Sequence, residues 1–363
     1  MHFIAEGYTW MVSDGVDACT TAEANGLHGQ AGGAGPPART GTVRGARKSG
    51  GAGHAVSGIM PRMTRDARGW VFTHDLDEFL TSAGDFLRSR PAAHTVALSV
   101  TDALRRRGPD VYGEEAPFFG RLADADGHVD GVGGVSAVLF HTPPYQLNLT
   151  DLPAEDVDVL AARLADEGYS FPGVGGPVDT AAEFAAAWER HTGARAQLRR
   201  SERLYRLGTL TPPTPVPPGR ARVAGESDHA LVARWYSEFA EIFERNERQD
   251  PDRWAESRLA YGGVTLWETP DGTPVAMAGA TPLIAGQIRV APVYTPAPLR
   301  GRGYAGAATA EVSRAARATG ADEVLLFTDL ANPTSNGLYQ RIGYRPVADF
   351  AVHDFVKQPS TTW

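Results

Sequence analysis

Between residues 288 and 305 the chain reads IRVAPVYTPAPLRGRGYA, and few folds can accommodate such a run. Residues 288–295 predict a strand, being rich in β-branched and aromatic side chains (Ile288, Val290, Val293, Tyr294, Thr295). Pro292 within it cannot donate to a ladder and so predicts a bulge or an edge position. Pro296 and Pro298 then take the chain out of the sheet. The segment RGRGYA at 300–305 feeds an alanine-rich helix over 306–319, closed by Gly320. Glycines just ahead of a helix let several N–H groups face one point, where the helix dipole adds partial positive charge. With Arg300 and Arg302 beside it, that point suits a phosphate or pyrophosphate.

Arg300, Gly303 and Ala305 fill the pattern Arg/Gln-x-x-Gly-x-Gly/Ala. Further on, Asn332-Pro-Thr-Ser335-Asn-Gly-Leu338-Tyr339 is followed by Ile342-Gly343-Tyr344. These two motifs, in this order, resemble the GNAT superfamily of N-acetyltransferases, specifically over about 220–355. The resemblance implies a GNAT fold of the α/β (α+β) type, with a mixed central sheet flanked by helices. It also implies acetyl-CoA as acetyl donor. Backbone groups of Val293, Tyr294 and Thr295 would pair with the pantetheine arm, and Arg300, Gly301, Arg302, Gly303, Tyr304 and Ala305 would hold the pyrophosphate. Asn332 and Ser335 join that cofactor set, although Asn332 before Pro333 also reads as a helix N-cap.

Acetyl transfer from a thioester to an amine needs a held cofactor, a neutral amine and a proton for the departing thiolate. Tyr339 is the catalytic candidate for that proton, since a phenol titrates near ~10 and matches a thiolate leaving group. Its alternative reading is a core tyrosine on an amphipathic helix with Leu338 and Ile342. The strand at 288–295 carries no carboxylate, so it supplies no general base. Glu241 and Glu244 are the substrate-binding candidates, able to hold or deprotonate a cationic amine. Their spacing with Arg245 and Arg248 equally suits surface ion pairs.

Composition excludes other classes. The net charge of −8 argues against a nucleic-acid surface. No apolar run reaches membrane-spanning length. Cys19 is the single cysteine, so no disulfide can form within one chain, and a reducing cytoplasm is expected. No basic-then-apolar segment opens the chain, which also predicts a cytoplasmic protein. The histidines show no H-x-x-H spacing, so no metal is expected. Gly134-Val-Ser136-Ala-Val lacks the second glycine of a hydrolase elbow.

Along the chain, residues 1–62 predict a disordered extension, Gly-, Ala- and Arg-rich from 25 to 58, with Met60 or Met63 as a second candidate start. Residues 63–210 predict a second, smaller α/β domain. Helices are expected from 74–77 to Arg90 and over 96–107, 151–168 and 178–191, with strands at 118–122, 134–141 and 203–210. That order echoes the second half without its glycine loop, which predicts a degenerate GNAT-like domain that no longer binds cofactor; an unrelated α+β domain is the alternative. Residues 211–219, TPPTPVPPG, predict a semi-rigid linker, and 220–357 the acetyltransferase domain. Within the latter, a helix from 227 or 228 to 248, a helical piece at 252–259 and strands at 221–224, 263–268 and 275–282 complete the pattern.

The expected function is acetyl-CoA-dependent acetylation of a primary amine on a small molecule or peptide. A non-catalytic acyl-CoA-binding regulatory module is the alternative, because the strand lacks a carboxylate. A dinucleotide-binding oxidoreductase is a remote one. Gly301-x-Gly303-x-x-Gly306 and Asp329 fit its fingerprint, but Pro296 and Pro298 separate strand from glycines and too little chain follows Asp329.

Overall fold

The computed structural model describes residues 69–123, 134–242 and 250–356. The predicted disordered extension and Cys19 lie outside these residues.

Asp75 accepts hydrogen bonds from the backbone N–H groups of Asp77 and Glu78, which starts a helix where the sequence predicts one. The first half runs β1 (Trp70–Thr73), α1 (Leu76–Ser89), α2 (Thr95–Arg107), β2 (Phe118–Ala123), β3 (Val135–His141), β4 (Leu147–Leu149), α3 (Ala154–Asp166), β5 (Gly173–Pro177), α4 (Val178–Thr192) and β6 (Arg195–Leu207). The second half runs β7 (Arg220–Val223), α5 (His229–Ile242), α6 (Pro251–Leu259), β8 (Val264–Glu268), β9 (Pro274–Ala280), β10 (Gln287–Tyr294), α7 (Tyr304–Ala318), β11 (Glu323–Asp329), α8 (Pro333–Arg341) and β12 (Tyr344–Val356). The two halves have the same order of elements, β-α-α-β-β-β-α-β-α-β.

All twelve strands form one sheet, in the order β1-β2-β3-β4-β5-β12-β6-β11-β10-β9-β8-β7. The pairing repeats as well. In each half the first four strands are antiparallel neighbours, and the fourth pairs parallel with the fifth. The sixth strands are exchanged: β6 lies against β11 and β12 against β5, and the two meet antiparallel at the centre. Arg203 on β6 fastens this seam, its Nε and Nη2 donating to the two carboxylate oxygens of Asp349 on β12 at 2.6 and 2.7 Å. A sheet with two parallel pairs among antiparallel ones is not the doubly wound sheet of a dinucleotide-binding enzyme.

Three strands escape the sequence reading. β1 and β4 are short. β5, GVGGP, is glycine-rich because its neighbours crowd it: a Cβ on Gly173 would stand 2.3 Å from the carbonyl oxygen of His353 on β12. β6 begins eight residues before the predicted position at Arg203, since its exposed first half, Arg-Ala-Gln-Leu-Arg-Arg, shows no apolar alternation. The helix expected to reach Arg248 is described only as far as Ile242, and Phe243–Gln249 lie outside the described residues.

Helices α3 and α4, and likewise α7 and α8, cover one face of their half-sheets, with Leu160 and Phe184 in one core and Ala308 and Tyr339 in the other. Helices α1 and α2 cover the other face of the first half, and α5 and α6 that of the second. In the latter layer Tyr236 stacks on Trp254 at 4.2 Å between ring centres, two rings each worth about 1.5–3 kcal/mol of burial. The proline-rich segment at 211–219 is laid along the second half. Pro213 approaches Gly306, and the carbonyl of Pro218 accepts from the Trp267 indole at 3.4 Å.

Candidate active site

β10 and β11 begin as a parallel pair and then part. Their ladder covers only Gln287–Arg289 against Glu323–Leu325, yet β10 continues to Tyr294 and β11 to Asp329. The parting coincides with a register shift between Val290 and Val293 in the ladder of β10 with β9. That shift is the bulge expected at Pro292, here on an interior strand. Beyond Arg289, therefore, the two buried strands part, and Val293, Tyr294 and Thr295 follow on β10, all three buried.

The chain leaves β10 through a short 3-10 turn, Ala297–Leu299, and enters the glycine loop. Gly301 and Gly303 both take left-handed conformations, φ +74° and +82°. Gly303 is the N-cap of α7 and has no side chain to satisfy the first-turn N–H groups of this fifteen-residue helix. A Cβ at Gly303 would meet nothing nearer than Pro217 at 3.9 Å, and at Gly301 nothing within 4 Å, so the cradle is open. Arg300, half-buried, folds back so that its Nε donates to the Thr295 carbonyl at 3.1 Å. Arg302 is exposed and donates from Nη2 to the Pro298 carbonyl at 3.2 Å. Tyr304 is half-buried and Ala305 buried at the start of α7. Exposed donors around an uncapped helix start form a surface that fits a pyrophosphate.

Asn332 caps α8, its Oδ1 accepting from the Ser335 N–H at 2.9 Å. The structure thus gives Asn332 a capping role and buries Ser335 behind it. Two turns along α8, Tyr339 is buried in the core cluster that also holds Val293 from β10, Leu326 from β11 and Ala305 from α7. Its ring meets that of Tyr344 edge-on at 6.1 Å. The glycine loop's helix, both parting strands and Tyr339 are thereby brought together. Close packing allows this: a Cβ on Gly306 would lie 2.9 Å from Leu338 Cδ1.

The acidic candidates fare differently. Glu241 is exposed on α5, and Glu244 lies outside the described residues. One turn before Glu241, Glu238 turns toward β10 and accepts a hydrogen bond from the Tyr294 hydroxyl at 2.6 Å. Burial, then the Glu238 carboxylate, hold the Tyr294 phenol well above its ordinary pKa. The sequence offered a signal for Glu238, since it shares a helical face with Trp235 and Ile242, but several acidic residues on one helix left the phase open.

In the first half β4 and β5 pair over only two residues, and a small cavity of about 30 Å³ beside them is lined from α2, β4, β5, β6 and β12. The segment leading into α3 contains no glycine, and Pro153 occupies the N-cap. Among the described residues no group of three or more His, Cys, Asp or Glu could hold a metal ion, and no helix is long and apolar enough to cross a membrane.

A mixed sheet whose fourth and fifth strands part above an uncapped, glycine-led helix is the arrangement of the GNAT fold. The model of the Acetyltransferase (GNAT) family matches residues 230–344. Among solved structures, a GCN5-related N-acetyltransferase from Sphaerobacter thermophilus is similar with a TM-score of 0.51 and 19% identity. It covers 80% of this chain and 96% of its own, so the shared fold extends over both halves. An acetyltransferase of the GNAT family from Colwellia psychrerythraea matches at TM-score 0.49 and 11% identity, covering 77% of this chain and 97% of its own. A GCN5-related N-acetyltransferase from Kribbella flavida matches at TM-score 0.42 and 20% identity, over 61% and 87%. No curated protein sequence matches the chain.

Proposed function

We propose that the second half transfers an acetyl group from acetyl-CoA to a primary amine, and that the first half is a GNAT-like repeat that lacks the glycine loop. The observation that carries this is the parting of β10 from β11 at Arg289, with Tyr339 buried in the cluster formed by the same two strands. Acetyl-CoA would supply the activated acyl group. The backbone of Val293–Thr295 would pair with its amide-bearing arm, and Arg300 with the N–H groups at the start of α7 would bind its pyrophosphate. Holding the thioester where the strands part converts attack by the amine into an intramolecular event. Tyr339 would donate its phenolic proton to the departing sulfur.

Glu238 supplies the carboxylate that β10 lacks. Hydrogen-bonded to Tyr294 on the α5 face, it would attract a cationic amine and accept the proton that the amine sheds before or during attack. This supports catalysis over a merely cofactor-binding role. The test is release of the CoA thiol when the full chain is given acetyl-CoA and a panel of amines. Amine-dependent release that Tyr339→Phe abolishes fits the proposal. Acetyl-CoA binding with no release for any amine fits the regulatory module instead.

A further inference from the structure

On the sheet face opposite α7, a cavity of about 170 Å³ lies where α2 of the first half meets α6 and β10 of the second. Its lining includes Arg258 from α6, Arg289 and Ala291 from β10, and Asp102, Arg106 and Arg107 from α2. Arg258 and Arg289 are each only 3% exposed. Arg289 is held from the first half, its Nη1 donating to the Thr95 carbonyl at 3.2 Å and to the Thr95 hydroxyl at 3.1 Å. Arg258 donates from Nη1 to the Ala280 carbonyl at 3.2 Å and to the Tyr261 hydroxyl. Both guanidinium groups are thus oriented by fixed backbone carbonyls on the cavity wall.

Among the described residues the cavity lining brings together four guanidinium groups and one carboxylate, and that carboxylate, Asp102, is engaged by Arg106 at 2.9 Å. Burial and then the neighbouring charge of Arg258 lower the Arg289 pKa to about 10, which leaves it cationic at neutral pH. The carboxylate of Glu202 and the Tyr112 phenol act on Arg289 in the opposite sense, and Glu202 is paired with Arg200 at 3.1 Å and does not line the cavity. Planar donors held in a partly closed, low-dielectric space match a carboxylate or phosphate group.

The cavity also has a place relative to the chemistry. Ala291 on its wall precedes Pro292, and Val293, the first cofactor candidate, is two residues on in the same strand. We infer that this arginine-lined cavity receives the anionic group of the acceptor, so that the acceptor is a small amine that also carries a carboxylate or phosphate. This rests on the acetyltransferase reading for the word acceptor; the anion site itself stands on the cavity.

The experiment separates the two. Inorganic phosphate is titrated calorimetrically into the full chain already saturated with coenzyme A, which occupies the glycine loop. Binding that weakens at least tenfold in Arg258→Met, and is largely kept in Arg258→Lys, supports the site. Equal phosphate affinity in wild type and Arg258→Met, or no phosphate binding to the wild type, overturns it. In the second arm, acetylation rates are compared for β-alanine against propylamine and for O-phosphoethanolamine against ethanolamine. A kcat/KM at least tenfold higher for the anionic member of either pair, lost in Arg258→Met, supports the acceptor assignment and says which anion is taken. Equal rates within both pairs overturn that assignment. Absence of a coenzyme A heat in the first arm is a failure of the transferase reading, visible before phosphate is added.

Discussion

The Tyr294 hydroxyl lies 2.6 Å from Glu238 Oε2, a bond between the last residue of β10 and the middle of α5. It places a carboxylate against the strand that carries the proposed cofactor-binding backbone. Glu238→Gln keeps the shape and the hydrogen bond but removes the base. We expect kcat to fall by about 100-fold, with the KM for acetyl-CoA nearly unchanged. Initial rates over pH 6–9 check this; a variant with wild-type kcat would remove Glu238 from the mechanism.

Gly303 occupies the left-handed region at φ +82° with open space around it, so alanine there tests conformation and not bulk. Gly303→Ala should cost about 1–2 kcal/mol of stability by forcing a Cβ into that conformation. It should also weaken acetyl-CoA binding more than it lowers the melting temperature would explain. Urea unfolding and acetyl-CoA titration on the same sample give both numbers.

At the seam, Arg203 and Asp349 join the two exchanged strands through paired hydrogen bonds, each side chain about one-third exposed. Solvent reaches the pair, so Asp349→Ala should cost only about 1 kcal/mol. Gly343 should matter more. At φ +109°, a Cβ there would lie 2.0 Å from the Thr209 carbonyl oxygen, so Gly343→Ala must move the chain where it enters β12. We expect at least twice the loss seen for Asp349→Ala in urea unfolding.

His141 is buried, its Nε2 2.8 Å from the Tyr145 carbonyl and its ring edge-on to Phe171. Burial lowers its pKa from 6.5 to about 4. Between those values the unfolded chain takes up a proton that the folded chain refuses. Its contribution is therefore whole above pH 6.5 and is lost as pH falls toward 4, at about 1.4 kcal/mol per pH unit. Burial also lowers His94 and His353, adding in the same direction. Comparing urea midpoints at pH 7 and 4.5, wild type should lose about 2 kcal/mol more than His141→Gln.

The glycine loop and the bulge before it were legible in the sequence because their residues state their own backbone demands. Gly301 and Gly303 serve left-handed positions, Pro292 a bulge and Asn332 a cap, all local matters. What escaped was non-local. The exchange of β6 and β12 leaves no mark, since a strand's pattern of burial is the same whichever partner it finds. β5 was hidden because the close approach of β12 demands glycines where strand formers are expected. Arg258 and Arg289 read as ordinary charged residues; only the meeting of α2, α6 and β10 turns them into a cavity wall.

The central claim is that the loop at 300–305 and the parting strands beyond Arg289 hold acetyl-CoA. Calorimetric titration of the full chain with acetyl-CoA, repeated on Arg300→Ala, addresses it most directly. One-to-one binding at micromolar affinity, weakened at least tenfold in the variant, is the predicted result. Folded protein that gives no acetyl-CoA heat, or binds it equally well without Arg300, would contradict the account.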